Sequence, residues 1–480
     1  MSSTLRLFWE AAGGNVPEHW EFKTIDELLE HPKAISVGVM YPGSDTDGGV
    51  PLIKVSDVKN GAIASRPSFC ISNKVDEEYK RTRLNGSELL LTLVGNPGDC
   101  VIVTDEMCGW NVARALAVIR LKDTQLRSWI RYVLASKPAQ HLIEARLNTT
   151  VQKTLNLKDV REIGIPIPPR EERDSITKII DSIEKKTLLN TQINQTLESI
   201  AQAIFKSWFI DFEPVRAKIA AKQEGKDPEL AAMCAISGKS EAELKQMPED
   251  DLAELQATAA LFPEELVESE LGEVPKGWEV NSLGNICNFT PGSAFKPEYQ
   301  GQTHGEIPFI KVSDMNLNGN EIFIVKANNY IDNSLQKERK FKLHEEGATV
   351  FAKIGVALIS NRRRVLTMPT IIDNNMMSAS PLKGLSTPYY LYLLLKTIDF
   401  NTLVSGTALP YLNVSDLRKI LIVHPTINLL NKFELIANPL LQKIKLNSVQ
   451  CEGLVTLRDN LLPKLLSGEV SVEDIKQQQD

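Results

Sequence analysis

The sequence of 480 residues lacks the patterns that mark several classes of protein. No apolar run is long enough to span a bilayer, and residues 1–15 have neither the basic start nor the apolar centre of a signal peptide. The six cysteines form no C-x-x-C pair and the six histidines are scattered, which argues against a zinc or redox site. We therefore expect a cytoplasmic protein with no membrane partner, reduced structural cysteines and no bound metal.

The sequence also has little that points to catalysis. It contains no G-x-G-x-x-G and no Asn- or Asp-Pro-Pro-aromatic motif of the kind that amino-methyltransferases use. Gly238-Lys-Ser240 is similar to the end of a phosphate-binding loop, but Met233 occupies the position of the required first glycine. We therefore expect no catalytic residue and no cofactor bound by this chain.

Charge is distributed unevenly along the chain. The formal net charge is -7, yet the segment from Glu241 to Glu273 carries eleven carboxylates and one lysine, which leaves +3 for everything else. The remainder includes basic clusters such as Lys80-Arg81-x-Arg83 and Arg362-Arg363-Arg364, for which a solvated surface is the alternative to a nucleic-acid contact. The overall acidity therefore does not exclude DNA, whose phosphates are neutralised by Lys and Arg.

The chain is an internal repeat, and its length predicts about three structural units. Pro51-Leu-Ile-Lys-Val-Ser-Asp57 recurs as Pro308-Phe-Ile-Lys-Val-Ser-Asp314, at an offset of 257 residues. Further matches are Thr150 with Thr407, Leu155-Asn156-x-x-Asp159 with Leu412-Asn413-x-x-Asp416, Val94-Gly95 with Ile354-Gly355, Trp129-x-x-Tyr132 with Tyr389-x-x-Tyr392, and Asn111 with Asn375. The small changes in offset indicate loop insertions.

Each repeat combines short strands with helices. β-branched runs bounded by Gly and Pro predict strands at Ile53–Val58, Leu89–Val94, Val101–Thr104, Phe309–Val312 and Thr349–Ile354. Helices are predicted at Ser128–Ser136 and Pro388–Thr397, and a Pro-rich stop then leads into a long helix in each repeat. The fold class predicted is α+β.

The two long helices share one heptad register. Seven of the ten a and d positions are apolar in the first helix, which starts at Ile176, and six of ten in the second, which starts at Phe433. The predicted pairing positions are Ile176, Ile183, Asn190, Leu197 and Ile204 with Phe433, Leu440, Asn447, Leu454 and Leu461. An Asn at the same a position in both helices predicts that they pack on each other, because a buried Asn fixes register. Two unrelated amphipathic helices covering separate cores are the alternative.

Two similar globules joined by paired helices match the symmetry of duplex DNA. Internal two-fold symmetry is simplest if the helices are antiparallel, and a helix from Ile176 to Ser207 is ~48 Å long at ~1.5 Å per residue. Reading units on one face of DNA stand ~34 Å apart, a distance that such a spacer can enforce. Because the two repeats differ in side chains, the expected target is bipartite and asymmetric.

Several of these motifs resemble the specificity subunits of type I restriction-modification systems. The segments from Pro168 to Pro214 and from Leu457 to Gly468 look like the central and distal conserved regions of that family. Glu273-Val-Pro-Lys-Gly-Trp278 and the Ile-Lys-Val-Ser-Asp elements look like the beginnings of its target-recognition domains. The resemblance covers nearly the whole chain.

The resemblance implies two pseudo-symmetric α/β target-recognition domains separated by two long helices that pack as an antiparallel coiled coil. The expected domains are a first target-recognition domain (1–165), a central spacer helix (166–212), an acidic, Ala-rich linker (213–272), a second target-recognition domain (273–425), a distal spacer helix (426–470) and a tail (471–480). The linker either packs on a partner or tethers the second half.

The resemblance also implies a non-catalytic role in a larger complex. Double-stranded DNA, two methyltransferase subunits that flip an adenine and methylate its N6, and restriction subunits are the expected partners. S-adenosylmethionine, ATP and Mg²⁺ are implied for those partner subunits and not for this chain. The alternatives are a catalytic DNA-modifying enzyme with an unrecognised site and a coiled-coil scaffold that binds only proteins.

Candidate DNA-reading residues are donors on loops near the strand ends, because Arg, Lys, Asn and Gln read base edges and contact phosphates. They are Lys54, Lys59, Arg81, Arg83, Asn96, Arg114 and Lys153 in the first repeat and Lys311, Lys353, Asn361, Arg362, Arg363 and Asn374 in the second. Solvated surface charge is the alternative for each, and turn closure is the alternative for Ser56-Asp57 and Ser313-Asp314. Trp208, Phe209 and Phe212 are candidates for partner docking, with core burial as the equal alternative.

Overall fold

The computed structural model describes residues 2–59, 61–63, 65–147, 153–406 and 410–472. The chain divides into two compact units, the first unit formed by residues 1–185 with 454–480 and the second unit by residues 186–453. Thr150 and Thr407 of the repeat lie outside the described residues. Among the described helices, none is both long and apolar enough to cross a membrane.

The first unit is built on a four-stranded antiparallel sheet. The spatial order of its strands is Ile35–Val37, Leu116–Ile119, Leu89–Thr92 and Cys100–Ile102. A second sheet places Val50–Ile53 between Cys70–Ile71, which is antiparallel to it, and Asn111–Val112, which is parallel. Two-stranded ladders pair Glu21–Thr24 with Gly164–Ile167 and Val58–Lys59 with Ala62–Ile63. Its helices are Ser2–Ala11, Ile25–Leu28, Asn73–Glu78, Arg127–Ala135, Lys137–Glu144 and Leu157–Arg161.

The sheet of the first unit is covered on both faces. Every residue of Leu89–Thr92 and of Leu116–Ile119 is buried, as expected for strands enclosed on two sides. On one side Trp129 is fully buried and donates its indole N–H to the carbonyl of Pro166 at 2.7 Å. On the other side Leu84, Leu90 and Val118 form a smaller core.

The second unit repeats this arrangement. Its main sheet has the order Cys287–Pro291, Met376–Pro381, Thr349–Ala352, Arg364–Leu366 and Phe323–Ile324. A three-stranded sheet places Ile307–Ile310 between Tyr330–Ile331 and the parallel Ile371–Ile372. Ladders pair Glu279–Ser282 with Leu421–His424 and Val404–Ser405 with Tyr411–Leu412. Its helices in this repeat are Leu283–Ile286, Asn333–Arg339, Val356–Ile359, Pro388–Thr397 and Val414–Arg418.

Strand pairing determines which residues of the two repeats are equivalent. Ile53 pairs with Val112, and its counterpart Ile310 pairs with Ile372. Val112 and Ile372 are therefore equivalent, and the offset between the repeats is 260 residues at these strands. Asn111 is therefore equivalent to Ile371, and the sequence match of Asn111 with Asn375 is wrong. The reason is that the loops before these strands differ in length while the ladder register is preserved.

One predicted strand is largely a turn. The strand expected at Ile53–Val58 ends at Ile53, and Val55–Asp57 form a turn of 3₁₀-helix. A carboxylate oxygen of Asp57 accepts a hydrogen bond from the backbone N–H of Lys54 at 2.7 Å, which closes the turn. The equivalent turn at Val312–Asn316 is closed in the same way by Asp314.

Residues 213–272, the expected linker, are folded. They form helices Glu213–Gln223, Pro228–Ser237, Glu241–Leu244 and Glu249–Ala259 and a hairpin of Leu266–Ser269 with Gly272–Pro275. Lys218 is buried and donates to Glu229 at 2.6 Å and to the carbonyl of Phe262 at 2.9 Å. Three acidic residues lie in the first turn of Glu249–Ala259, where the helix dipole favours them.

The two long helices are the central helix, Arg170–Phe209, and the distal helix, Ile427–Ser467. In the second unit Asn190 donates to Gln450 at 2.7 Å, and the Phe209 ring is 5.1 Å from that of Phe433. In the first unit Arg458 lies 3.6 Å from Glu184. Residues later in the central helix contact residues earlier in the distal helix, so the two helices are antiparallel. The predicted α+β fold with an antiparallel helix pair is confirmed.

The apolar seam differs from the prediction in one respect. All ten a positions are buried or half-buried, but d positions such as Lys186, Ile200 and Lys443 are exposed. The e positions take their place, for example Ile180, Ala201 and Ile444, which are buried. An a and e stripe suits straight helices of 3.6 residues per turn, and it is wider than a coiled-coil seam because each helix also covers a neighbouring sheet domain.

Candidate nucleic-acid interface

In the first unit, several segments end side by side at one edge of the sheets. Ala113 donates its backbone N–H to Ile53 at 2.8 Å, and Arg114 donates to Val39 at 2.9 Å. Leu93 donates to Ala115 and accepts from Leu155, both at 2.8 Å. We call this region the first strand-end edge; it carries Tyr41, Lys54, Asn96, Arg114 and Lys153.

A glycine allows these segments to come together. A Cβ atom added to Gly38 would lie 2.1 Å from the carbonyl oxygen of Val112, so only glycine permits this approach. In the second unit a Cβ atom on Gly292 would lie 2.0 Å from the carbonyl oxygen of Asp373. The same backbone contact therefore shapes the corresponding edge in both units.

The second strand-end edge carries Lys311, Lys353, Asn374 and Tyr411. Asp373 donates its N–H to Ile310 at 2.9 Å, which places Lys311 next to Asn374. Lys353 donates its N–H to Asn375 at 2.8 Å and accepts from Leu412 at 2.9 Å. One parallel and one antiparallel ladder thus bring three of the predicted residues of this repeat, Lys311, Lys353 and Asn374, to one edge.

The lysine that follows the central strand of the smaller sheet is held similarly at the two edges. The ammonium nitrogen of Lys54 lies 3.4 Å from the centre of the Phe69 ring. That of Lys311 lies 5.2 Å from the Phe295 ring centre and 2.5 Å from Oε1 of Gln300. A cation over an aromatic face is stabilised by the ring quadrupole, so both ammonium groups have defined positions.

The carboxylates at the two edges are already engaged by hydrogen bonds. Asp57 accepts from the backbone N–H of Lys54, and Asp314, which is fully buried, accepts from those of Lys311 and Asn328. Asp99 accepts from the side-chain amide of Asn96 at 2.8 Å. The exposed groups are therefore mainly cations and amides, which suits a polyanion.

Other predicted residues lie elsewhere in the structure. Arg120, at the opposite end of the Leu116–Ile119 strand, donates to the carbonyls of Arg81 and Arg83. Arg83 is engaged by Asp76 and Glu77, and Lys59 lies on the exposed hairpin with Ala62–Ile63. Arg81 and Arg83 are thus not part of the first strand-end edge.

The consecutive arginines Arg362, Arg363 and Arg364 differ in environment. Arg362 is exposed, whereas Arg363 is buried, lies 3.5 Å from the Phe400 ring centre and donates to Asn361 and to the carbonyl of Ile398. Burial lowers the pKa of Arg363 to about 10. Arg363 is held inside the fold by Asn361 and Ile398, so it offers no cation to DNA. The prediction is wrong for Arg363 because sequence alone does not show which arginine of an Arg-Arg-Arg run points inward.

The aromatic residues considered for partner docking are in the core. Trp208, Phe209 and Phe212 are buried, and the Trp208 ring packs edge-on against Phe262 with centroids 5.1 Å apart. Phe212 packs against Trp278 at 5.5 Å. Core burial therefore describes these residues, and they present no surface to a partner.

Sequence reasoning missed the exposed apolar groups of the edges. Tyr41 is 78% exposed, Val356 79% and Tyr411 48%. Tyr41 directly precedes Pro42-Gly43, a turn signal that could have identified it. Val356 follows Gly355 directly and begins the short helix Val356–Ile359, where an apolar side chain would be expected to be buried.

The described residues contain no cluster of three or more His, Cys, Asp or Glu able to hold a metal ion. Cys100 and Cys287 are buried, and burial raises the pKa of each thiol to about 12. Thiols with such pKa values are poor nucleophiles at neutral pH.

Comparison with known proteins agrees with this architecture. A family model described as the type I restriction modification DNA specificity domain matches residues 17–199 and 275–429. The specificity subunit of the type I restriction enzyme HindI from Haemophilus influenzae is 36% identical over 352 residues, covering 68% of this chain and 73% of that protein. The MjaIX specificity subunit from Methanocaldococcus jannaschii is 26% identical over 483 residues, covering 98% of this chain and 97% of that protein.

A solved structure supports the fold. The type I restriction-modification S subunit from M. genitalium aligns with a TM-score of 0.53 at 15% identity, covering 93% of this chain and 96% of that chain. Two matching sheet domains, each with a cationic edge, and a pair of long helices define a DNA-specificity protein. The chain belongs to the family of type I restriction-modification specificity subunits, as the sequence motifs predict.

Proposed function

We propose that this chain reads a split, asymmetric sequence in double-stranded DNA, with each strand-end edge reading one half-site. It carries no catalytic centre in this role. It brings two methyltransferase subunits, which methylate adenine at N6, and restriction subunits to the target. S-adenosylmethionine, ATP and Mg²⁺ serve those partner subunits, and the cytoplasm remains the predicted place of action.

One observation carries the proposal: the same framework presents different side chains at its two edges. Arg114 is equivalent to Asn374, and Leu93 is equivalent to Lys353. Arginine pairs best with guanine and asparagine with adenine in the major groove. Equal frameworks with unequal donors therefore favour two half-sites of different sequence.

The outward faces of the long helices favour docking of partner proteins. In the second unit they expose the apolar side chains of Leu188, Leu189, Ile200, Leu435, Leu446 and Val449. Apolar side chains left in solvent at neighbouring positions mark interaction surfaces. We assign methyltransferase docking to these residues in place of Trp208, Phe209 and Phe212.

The target is tested by sequencing the methylated adenines of cells that express the methyltransferase subunits with and without this chain. We expect a split motif that is methylated only when the chain is present. The absence of such a motif would overturn the proposal. Methyl transfer by the purified chain alone would support a catalytic enzyme, and an assembled complex that does not bind DNA would support a protein scaffold.

Docking is tested by replacing Leu435, which is 67% exposed on the distal helix, with Glu. The variant should stay folded but fail to co-purify with the methyltransferase subunits, because a charge would have to be desolvated in the interface. Leu7→Glu is the matched control, since Leu7 is 65% exposed on the helix Ser2–Ala11. Equal co-purification of both variants would contradict the assignment.

A further inference from the structure

We infer that Lys54 and Lys311 are the shared contacts to the DNA phosphate backbone, one at each strand-end edge, and that they do not read bases. The inference rests on the proposed function, and it assigns to these two lysines the sequence-independent part of binding. Phosphate contacts determine the register of a protein on DNA and carry no sequence information directly.

The two lysines occupy equivalent positions in the two repeats. Each lysine directly follows a buried strand, Val50–Ile53 or Ile307–Ile310, whose parallel partner runs beside it in the same register. Each precedes an exposed serine, Ser56 or Ser313, in an identical Lys-Val-Ser-Asp sequence. A side chain kept in both repeats must make a contact common to two half-sites of different sequence, and the phosphate backbone is that common feature.

Each ammonium group is held over an aromatic ring, and the two rings come from different parts of the repeats. Phe69, which lies under Lys54, comes from a loop before Cys70–Ile71, whereas Phe295, beneath Lys311, follows Gly292 on another segment. The rings thus come from non-equivalent positions in the two repeats. The same lysine placement is reached by two different packing solutions, which indicates that the position of the cation is the preserved property.

The charges around each lysine also favour a phosphate as its partner. Within the described residues, no Asp or Glu forms an ion pair with Lys54 or Lys311, although Asp57 and Asp314 lie in the same turns. Those carboxylates are directed to backbone N–H groups instead. Both residues are half-buried, so part of each side chain remains in contact with solvent. Each edge therefore offers a positioned cation without a protein counter-charge.

Unlike the two lysines, the neighbouring edge residues differ between the repeats. Arg114 in the first unit is replaced by Asn374 in the second, and Leu93 by Lys353. Side chains that change between the repeats are suited to reading the bases that change between half-sites. In this inference the two lysines position the protein on the DNA backbone, and the neighbouring residues read the bases.

The test measures binding of the complex, with its methyltransferase subunits, to its target duplex and to a scrambled duplex over a range of salt concentrations. The plot of log affinity against log salt has a negative slope. Lys54→Gln and Lys311→Gln should each make this slope less steep, by about 0.9. Between about 50 and about 200 mM salt, the loss of affinity should shrink by about 3.5-fold per lysine removed. Both duplexes should weaken by the same factor, so the preference for the target stays unchanged.

Matched controls come from the same repeats. Lys122 and Lys383 are exposed lysines that follow the opposite ends of the strands Leu116–Ile119 and Met376–Pro381. Lys122→Gln and Lys383→Gln should leave the slope unchanged. Lys54→Arg and Lys311→Arg keep the charge and should restore the slope, which separates loss of a phosphate contact from loss of folding.

Three outcomes overturn the inference. An unchanged slope in both Gln variants would show that neither lysine touches a phosphate, and an equal change in the controls would show a general charge effect. A changed preference for the target would assign the lysines to base reading. If the wild-type complex itself does not distinguish target from scrambled duplex, the proposed function fails first, which separates the two failures.

Discussion

The two units share a backbone framework but bury different polar groups within it. In the first unit Glu88 is fully buried and pairs with Arg120 at 3.0 Å, and it also accepts from the N–H groups of Asn85 and Ser87. The second unit has Ala348 and Ser380 at the positions of Glu88 and Arg120. An ion pair in one unit is thus replaced by two small side chains in the other.

At a second pair of equivalent positions, the polar side chains lie in the second unit and the apolar ones in the first. The second unit buries His344, whose Nδ1 is hydrogen-bonded to Oγ of Ser378 at 2.7 Å. The first unit has Leu84 and Val118 at these positions, both buried and apolar. The comparison shows that the ladder register defines the fold, while each buried polar group needs only a partner of its own.

The largest effect is expected from breaking the ion pair of the first unit. Arg120→Ser should lower the free energy of unfolding by about 3–5 kcal/mol, because the Glu88 carboxylate would stay buried without its counter-charge. Guanidinium unfolding of the full chain measures this loss. Glu88→Ala together with Arg120→Ser, which reproduces the residues of the second unit, should recover more than half of it. A single variant that costs less than about 1 kcal/mol would contradict the comparison.

The next effect is a dependence of stability on pH in the second unit. Burial lowers the pKa of His344 from 6.5 to about 4, so the folded chain holds it neutral while the unfolded chain binds a proton below pH 6.5. Its contribution is therefore complete above pH 6.5 and is lost as the pH falls from 6.5 towards 4, by about 3 kcal/mol.

The residues of the first unit provide the control for this pH dependence. His344→Leu with Ser378→Val places the buried apolar pair of the first unit in the second. The free energy of unfolding of this variant should fall less between pH 7 and pH 4 than that of the wild type, by about 3 kcal/mol. Equal pH profiles of the two proteins, measured by urea unfolding, would rule out His344 as the source.

A smaller effect is expected on DNA reading when equivalent edge residues are exchanged. Arg114→Asn gives the first strand-end edge the donor that Asn374 supplies to the second. The preference at one base pair of one half-site should change by about 1–3 kcal/mol, with the other half-site unaffected. Competition binding with duplexes randomised in each half-site measures both. A change in both half-sites would show that each edge does not read its own half.

The smallest effect concerns the helix pair, where the two repeats are most alike. Asn447 is buried and donates to Asn194 at 2.9 Å, as Asn190 donates to Gln450. Asn447→Ala should lower the free energy of unfolding by about 1 kcal/mol through one lost hydrogen bond. Thermal unfolding compares it with Leu446→Ala, whose side chain is 64% exposed and should change stability little. A larger loss in Leu446→Ala would contradict the placement of the seam.

Much of the helix pair could be predicted because its signal is periodic. The a positions of both helices are buried or half-buried, as the heptads indicate. The exchange of d for e could not be predicted, because it depends on the sheet domains that cover the second side of each helix. Ile200 is apolar and yet 42% exposed for this reason.

The candidate site was predictable only in part. The Lys-Val-Ser-Asp turns are local, so their closure by Asp57 and Asp314 follows from neighbouring residues. The burial of Arg363 against Phe400 joins residues far apart in sequence, and no local pattern marks it. The same applies to Trp208 and Phe209, whose aromatic character fits a core and a docking surface equally well.

The sequence by itself determined the repeat, the register of the long helices and the family. Each of these depends on periodic spacing or on short contiguous motifs, which are visible along the chain. Tertiary structure alone decided which donors meet at the strand-end edges and which arginines turn inward. The parallel pairing of Ile53 with Val112 and of Ile310 with Ile372 brings distant loops together. Such contacts depend on ladder register and loop length, and residue identity along the chain does not encode them locally.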